Sequence, residues 1–303
     1  MTDRILEISD HPAYLSVSNG LLVIAQDGRD DQTVPLADLA VVVVSHPQVK
    51  YTHAVLAGLT AAGASFVTCD ARHLPVGMLL PIDAHYVQTE RFALQAQAPL
   101  PMRKRLWQEI VRAKVRAQGR LLAALHGSDQ GLIALAADVK SGDTANVEAQ
   151  ASRRYWPALF ADQAFRRDRE AEDQNRLLNY GYAILRAIVS RAICAAGLHP
   201  SLGLHHHNRY NSFCLADDLM EPLRPVVDKA VWDLIRAAGA AVEMDRRTKT
   251  ALLEAVTGRV RVEGESRTLF DAASIAASSL VAVLHKEAKH LILPEVDYGS
   301  AKT

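Results

Sequence analysis

The chain has 303 residues, enough for two domains or one large one, and at 49% hydrophobic and 22% charged it has the composition of a globular protein with a sizeable core, without repeats or low-complexity tracts. Its 34 basic and 34 acidic side chains cancel, but unevenly: residues 1–101 hold 5 Lys/Arg against 10 Asp/Glu, residues 102–191 hold 16 against 10, and residues 192–303 hold 13 against 14, so the middle of the chain is the part suited to a polyanion. Cys69, Cys194 and Cys214 are odd in number and form no CxxC pair, which argues against a disulfide framework or a cysteine zinc site and predicts a reducing cytoplasm, while the charged start (Asp3, Arg4, Glu7, Asp10) and the brevity of the apolar run at 39–44 argue against a signal peptide or a membrane span.

Residues 1–85 read as mostly strand. Apolar runs at 14–17 and 21–25 flank Ser18-Asn19-Gly20, and Asn-Gly is a strong hairpin signal. The β-branched run at 39–44 predicts a further strand, 53–62 a short helix and 65–68 another strand. This acidic, β-rich region has no His/Glu cluster, so an assembly or dimerisation role is expected of it. Residues 86–101, with three glutamines and two prolines, read as a linker.

From residue 102 the pattern is helical to the end, giving an α+β chain with a β-rich domain (1–85), a linker (86–101) and a larger all-α domain (102–303). In the first helix Leu106, Ile110, Ala117 and Leu121 form an apolar stripe, and Arg105, Arg112, Arg116 and Arg120 a separate one. Four like charges on one face repel unless neutralised, which favours a phosphate-binding face over a merely solvated one. A second helix is expected at 130–138. The turn at 141–144 offers N-caps for a third, in which Glu148 shares a face with Ala145, Ala151, Ser152 and Tyr155, small or aromatic neighbours for a carboxylate. Arg153, Arg154, Arg166, Arg167 and Arg169 follow. Residues 177–196 form a long apolar helix; further helices are expected at 231–241, 249–256 and 272–284, with a short hairpin at 258–266 and a frayed tail from 297.

The stretch 197–228, GLHPSLGLHHHNRYNSFCLADDLMEPLRPVVD, concentrates the chemistry. Gly197, Pro200 and Gly203 disfavour helix, so His205, His206 and His207 sit on a loop; Asp217 is a plausible N-cap of the helix that follows, and Asp218 and Glu221, three apart, share its face. Taken singly, these residues fit a solvated loop and a charged helix start. As a cluster, imidazole and carboxylates converging from a loop and a helix suit a divalent cation.

Two segments, NVEAQASRRYW (146–156) and the 197–228 stretch, together resemble the CRISPR-associated integrase, the larger catalytic subunit of the CRISPR adaptation complex, in the branch found with type II systems. The order and length of the β-rich start, linker and helical remainder agree with that family. The resemblance implies a sandwich-like N-terminal domain, a helical catalytic domain, a homodimer, and two such dimers flanking a dimer of a small ferredoxin-like subunit. It implies action on double-stranded DNA, inserting spacer precursors at a CRISPR repeat. It also implies a ligand set of Glu148, His206 and Glu221, with His205 and Asp218 as secondary candidates. One imidazole and two carboxylates suit Mg²⁺ or Mn²⁺ in phosphodiester transesterification or hydrolysis. The arginine groups would contact phosphates, and Tyr155, Trp156 or Tyr210 would stack on bases unless they are core. Three rival readings are a metal-dependent DNase that does not integrate, a zinc hydrolase using the histidine run, and a non-catalytic DNA-binding scaffold.

Overall fold

The computed structural model describes residues 4–239 and 242–298. Residues 4–79 supply eight strands and one α-helix: β1 (Arg4–Ile8), β2 (Ala13–Ser18), β3 (Leu21–Ala25), β4 (Gln32–Pro35), β5 (Leu39–Val44), β6 (Val49–Tyr51), α1 (His53–Ala61), β7 (Ser65–Cys69) and β8 (Pro75–Leu79). They form two four-stranded sheets, ordered β4-β3-β2-β6 and β1-β5-β7-β8. Asn19 and Gly20 both take positive φ, 50° and 76°, which closes the β2–β3 hairpin with the twist its strands need.

β5 runs parallel to both β1 and β7. All six of its residues are buried, which is why its sequence is continuously apolar rather than alternating. Its side chains alternate in destination. Val42 and Val44 join a small core with Leu15, Leu22, Val55 and Leu59, whereas Val41 and Val43 join the main core of the helical region. The second sheet is therefore shared between both halves of the chain.

The stretch 86–101 is not an extended linker: it contains α2 (Gln88–Ala96). Gln95 of this helix is buried and bonded to the loop at 199–202. α3 (Leu100–His126) follows, with Pro101 in its first turn, where a missing N–H costs nothing. Then come α4 (Leu132–Ala137), α5 (Val147–Phe160) and α6 (Asn175–Ala195), the last largely buried at the centre of the core.

α7 (Cys214–Met220) passes through a 3₁₀ turn (Glu221–Leu223) into α8 (Arg224–Ala238). Pro222 and Pro225 make this a broken rather than a continuous helix. Asp217 does not cap α7 but lies inside it, because the buried carboxylate meets Arg186 Nε of α6 at 2.8 Å and accepts from Asn211 Nδ2 at 2.8 Å. α8 begins well before residue 231; residues 240 and 241 of the helix expected there lie outside the described residues. α9 (Arg246–Val256), the hairpin β9 (Arg259–Val262) and β10 (Glu265–Thr268), and α10 (Leu269–Leu284) complete the fold. Of the tail expected to fray from 297, residues 299–303 lie outside the described residues. Among the described residues, no helix is long and apolar enough to cross a membrane.

Candidate functional site

Glu148 stands in the first turn of α5, and the start of that helix is fixed by Asp143. The Asp143 carboxylate accepts from Val147 N at 2.8 Å and from Glu148 N at 3.0 Å, satisfying two amides that a helix N-terminus leaves unpaired. Asp143 and Asn146 adopt left-handed backbone to bring this about, at φ 48° and 53°.

From α5, Glu148 reaches Lys114 of α3, whose Nζ donates to Oε1 at 2.6 Å. The same ammonium lies 2.7 Å from Glu221 Oε2, and Arg224 Nε lies 2.9 Å from Glu221 Oε1. Both contacts set a positive charge against the buried Glu221 carboxylate. Burial by itself would push the Glu221 carboxyl up; Arg224 and Lys114 outweigh it and hold it down at about 2. Burial likewise works against the Lys114 ammonium, and Glu221 and Glu148 overcome it, so that its pKa is raised.

His206 is oriented by Asp218. The ring Nδ1 is 2.6 Å from Asp218 Oδ1, and the same fully buried carboxylate accepts from the backbone of Leu204 (2.6 Å), His205 (3.0 Å) and His206 (3.2 Å). The hydrogen bond to Asp218 raises the His206 pKa against its burial. With Nδ1 engaged, Nε2 is the nitrogen left to bind a ligand. Asp218, a secondary candidate ligand by sequence, thus acts on both the imidazole and the loop that carries it. Gly203 lets this loop close: a Cβ there would fall 2.2 Å from His206 O. His205 stacks flat on Trp107, with ring centroids 4.2 Å apart, and burial lowers its pKa. His207 points back to its own loop, its Nδ1 2.7 Å from His205 O.

Lys114, His206, Glu221 and Arg224 line a cleft of about 650 Å³ together with Arg153, Arg166, Arg167 and Arg169. Arg154 is exposed and lies off this lining. Arg167 is fixed by the side-chain oxygens of Asn175 (2.9 Å) and Asn179 (2.6 Å). The guanidinium groups of Arg167 and Arg224 both lie over the Tyr182 ring, at 5.5 and 4.7 Å. Tyr182 and Tyr155 donate to the two oxygens of buried Asp228, whose carboxyl is pushed up by burial to about 6.

The arginine stripe of α3 faces elsewhere. Arg112, Arg116 and Arg120 line a separate cleft of about 330 Å³, on the side of α3 away from Lys114. Arg112 donates to Val139 O at 2.9 Å and Arg120 pairs with Glu295 at 2.8 Å, so partners within the protein already offset part of the repulsion; Arg105 and Arg116 are exposed. Tyr155 is core, Trp156 packs with Phe160 and Phe165, and Tyr210 is 78% exposed. Among the described residues no three His, Cys, Asp or Glu side chains are spaced to cage a metal ion as they stand; the Lys114 ammonium is the cation between the two glutamates.

Sequence reasoning missed Lys114, Arg224, Asp228 and Gln95. Lys114 had a signal: it falls on the apolar stripe of α3 between Ile110 and Ala117, where a lysine must find a buried partner. Arg224 follows Glu221 by three residues and Asp228 follows Arg224 by four, both helical spacings. Nothing local marked Gln95, whose partners lie about 100 residues away.

The family model described as CRISPR associated protein Cas1 matches residues 6–255. The CRISPR-associated endonuclease Cas1 of Neisseria meningitidis serogroup C (strain 8013) is 38% identical over 286 residues, covering 93% of this chain and 93% of that relative. Among solved structures, a casposase bound to integration product superposes with a TM-score of 0.79 at 19% identity, covering 95% of this chain and 92% of that one. A Cas6-RT-Cas1–Cas2 complex superposes with a TM-score of 0.75 at 17% identity, covering 97% and 36%. At such identities the two structures speak for the fold.

Proposed function

The chain belongs to the CRISPR-associated Cas1 family; we propose that it is a DNA endonuclease and integrase whose reaction is carried by Glu148, His206 and Glu221 around a divalent cation, Mg²⁺ or Mn²⁺. The observation that carries this reading is the pair of glutamates, from two separate helical segments, drawn to a single buried positive charge beside an oriented imidazole.

The donor set fits such an ion. Glu148 and Glu221 already share one positive charge, Glu221 is buried and held ionised, and His206 presents Nε2. When bound, the ion would make a 3′-hydroxyl more acidic and offset charge building on the phosphorus oxygens. The chain's own residues do the rest. Asp218 fixes the imidazole, Arg224 keeps Glu221 ionised, and Arg153, Arg166, Arg167 and Arg169 offer cationic contacts along the cleft for DNA phosphates. The 3′-oxygen of the incoming strand forms a bond to phosphorus at the repeat edge as the bond to the departing 3′-oxygen breaks. The proton of the attacking hydroxyl ends on the departing oxygen. With water as nucleophile the same site hydrolyses DNA.

The same reading makes the chain a homodimer, two of which flank a dimer of a small ferredoxin-like subunit, acting on spacer precursors and the CRISPR repeat as double-stranded DNA in a prokaryotic cytoplasm. Arg105, Arg116, Arg154 and Tyr210, which lie off the glutamate cleft, would then contact DNA beyond the reacting phosphate.

The test is a joining assay with purified protein, the small subunit, a short duplex bearing 3′-hydroxyls and a repeat-bearing supercoiled plasmid, in Mn²⁺ or Mg²⁺. Wild type joins duplex to plasmid; Glu148→Ala, His206→Ala and Glu221→Ala each abolish joining. If His205→Ala is dead while His206→Ala is active, His205 is the ligand. Degradation of DNA without joining points to a nuclease that does not integrate.

A further inference from the structure

Lys114 lies where a catalytic cation would be expected to sit. Its side chain is only 10% exposed, and its ammonium touches one carboxylate oxygen of Glu148 and one of Glu221, at 2.6 and 2.7 Å. No other basic side chain bridges both glutamates among the described residues; Arg224 meets Glu221 alone. The ammonium is thus a compact positive charge placed between two acids. Two carboxylates brought together in a buried place repel each other unless a positive charge joins them.

We propose that Lys114 is a built-in stand-in for the metal: its ammonium keeps Glu148 and Glu221 together while the site is empty, competes with the divalent cation for the two carboxylates, and is displaced into the cleft when the cation binds. The proposal rests on the metal-site reading given above. The four-carbon stem of lysine allows the displacement, and the cleft that receives the ammonium is lined by arginines suited to phosphate, so a DNA phosphate is its next partner. An arginine at this position would be harder to move, because its planar fork fits carboxylates at two points.

The test is Mn²⁺ binding without DNA, by calorimetric titration of full-length wild type, Lys114→Met and Glu221→Gln. Competition predicts that Lys114→Met binds Mn²⁺ at least about tenfold more tightly, because a neighbouring positive charge has been removed, and gains more thermal stability from Mn²⁺ than wild type does. Glu221→Gln should bind more weakly. Equal or weaker Mn²⁺ binding by Lys114→Met, with Glu221→Gln still impaired, overturns the proposal and leaves the metal site standing. Wild type and Glu221→Gln binding alike overturns both. A measurement on wild type alone does not depend on the variant folding: labelling of Lys114 by an amine-reactive ester, read by peptide mass spectrometry, should rise severalfold in saturating Mn²⁺. Labelling that stays flat would show that the ammonium does not move.

Discussion

At the scale of single residues, the site is a set of charges made tolerable by immediate neighbours. Asp218 serves three backbone amides and one imidazole, so its replacement by Asn removes the charge that keeps His206 in place while leaving an acceptor for the loop. Asp218→Asn should slow joining by about 10- to 100-fold, the usual effect of losing an outer partner of a metal-binding histidine, with a smaller change in the thermal midpoint. Equal joining rates for variant and wild type would show that Asp218 acts on the loop alone. Asp228 makes a different prediction. Burial raises its pKa from 3.8 to about 6, so the folded state holds its proton more tightly than the unfolded chain. The stability this gives is fully present below about pH 3.8 and is lost as pH rises through about 6. Asp228→Asn should therefore flatten the stability–pH curve between pH 4 and 7, measured by urea unfolding at several pH values. A variant curve parallel to wild type would mean that Asp228 titrates as it would in the unfolded chain. Glu148, His206 and Glu221 could be singled out from sequence because the two segments that hold them, 146–156 and 197–228, resemble a known family. Lys114 and Asp228 could not be assigned, because their burial is decided by helices packed from elsewhere.

At the scale of elements, α2 is the case where composition misled. Gln95 donates to His199 O (2.9 Å) and Leu202 O (2.8 Å) and accepts from His199 N (2.9 Å), so this short helix braces the loop that ends in His206. Arg91 adds a bond to Ala196 O at 2.8 Å. Gln95→Ala leaves those backbone groups unpaired in a buried place and should cost about 2–3 kcal/mol in urea unfolding. Gln95→Glu should not rescue it, because a carboxylate would face two carbonyl oxygens; recovery of wild-type stability by the glutamate would sink this account. Gly203→Ala tests the same loop from inside. Its Cβ would collide with His206 O, so the joining reaction should be lost while the far-ultraviolet circular dichroism stays that of wild type. Strands and long helices were legible because each repeats its own period over many residues: β5 as an unbroken apolar run, α6 as apolar turns, the β2–β3 turn as Asn-Gly. The boundaries of α7 and α8 were not, since Asp217 looks like a cap until Arg186 of α6 is brought against it.

At the scale of the molecule, the division into a β-rich and a helical domain describes the order of elements, but the cores are continuous across it. Val41, Val43 and Val67 of the second sheet belong to the same buried cluster as α3 and α6. A polar contact crosses the same seam: Glu7 of β1 accepts from Tyr180 OH of α6 at 3.0 Å and lies 3.6 Å from Lys249 Nζ of α9, all three largely buried. Burial raises the Glu7 pKa, and Lys249 and Tyr180 oppose that rise without cancelling it. Such a pair is costly to break and cheap to replace. Glu7→Gln or Lys249→Met alone strands a buried charge and should destabilise by about 3–5 kcal/mol, whereas the double variant should recover most of that loss. The measurement is a double-mutant cycle in urea, followed both by tryptophan fluorescence and by circular dichroism. Trp107, Trp156 and Trp232 all lie in the helical part, so fluorescence reports that part alone, while the strands contribute to the dichroism. If the seam is a true core, both probes give one coincident transition in wild type and in each variant. Two separated transitions, or additive single effects, would instead make 1–85 an independent unit resting on the helices, with its place in an assembly set by its own surface.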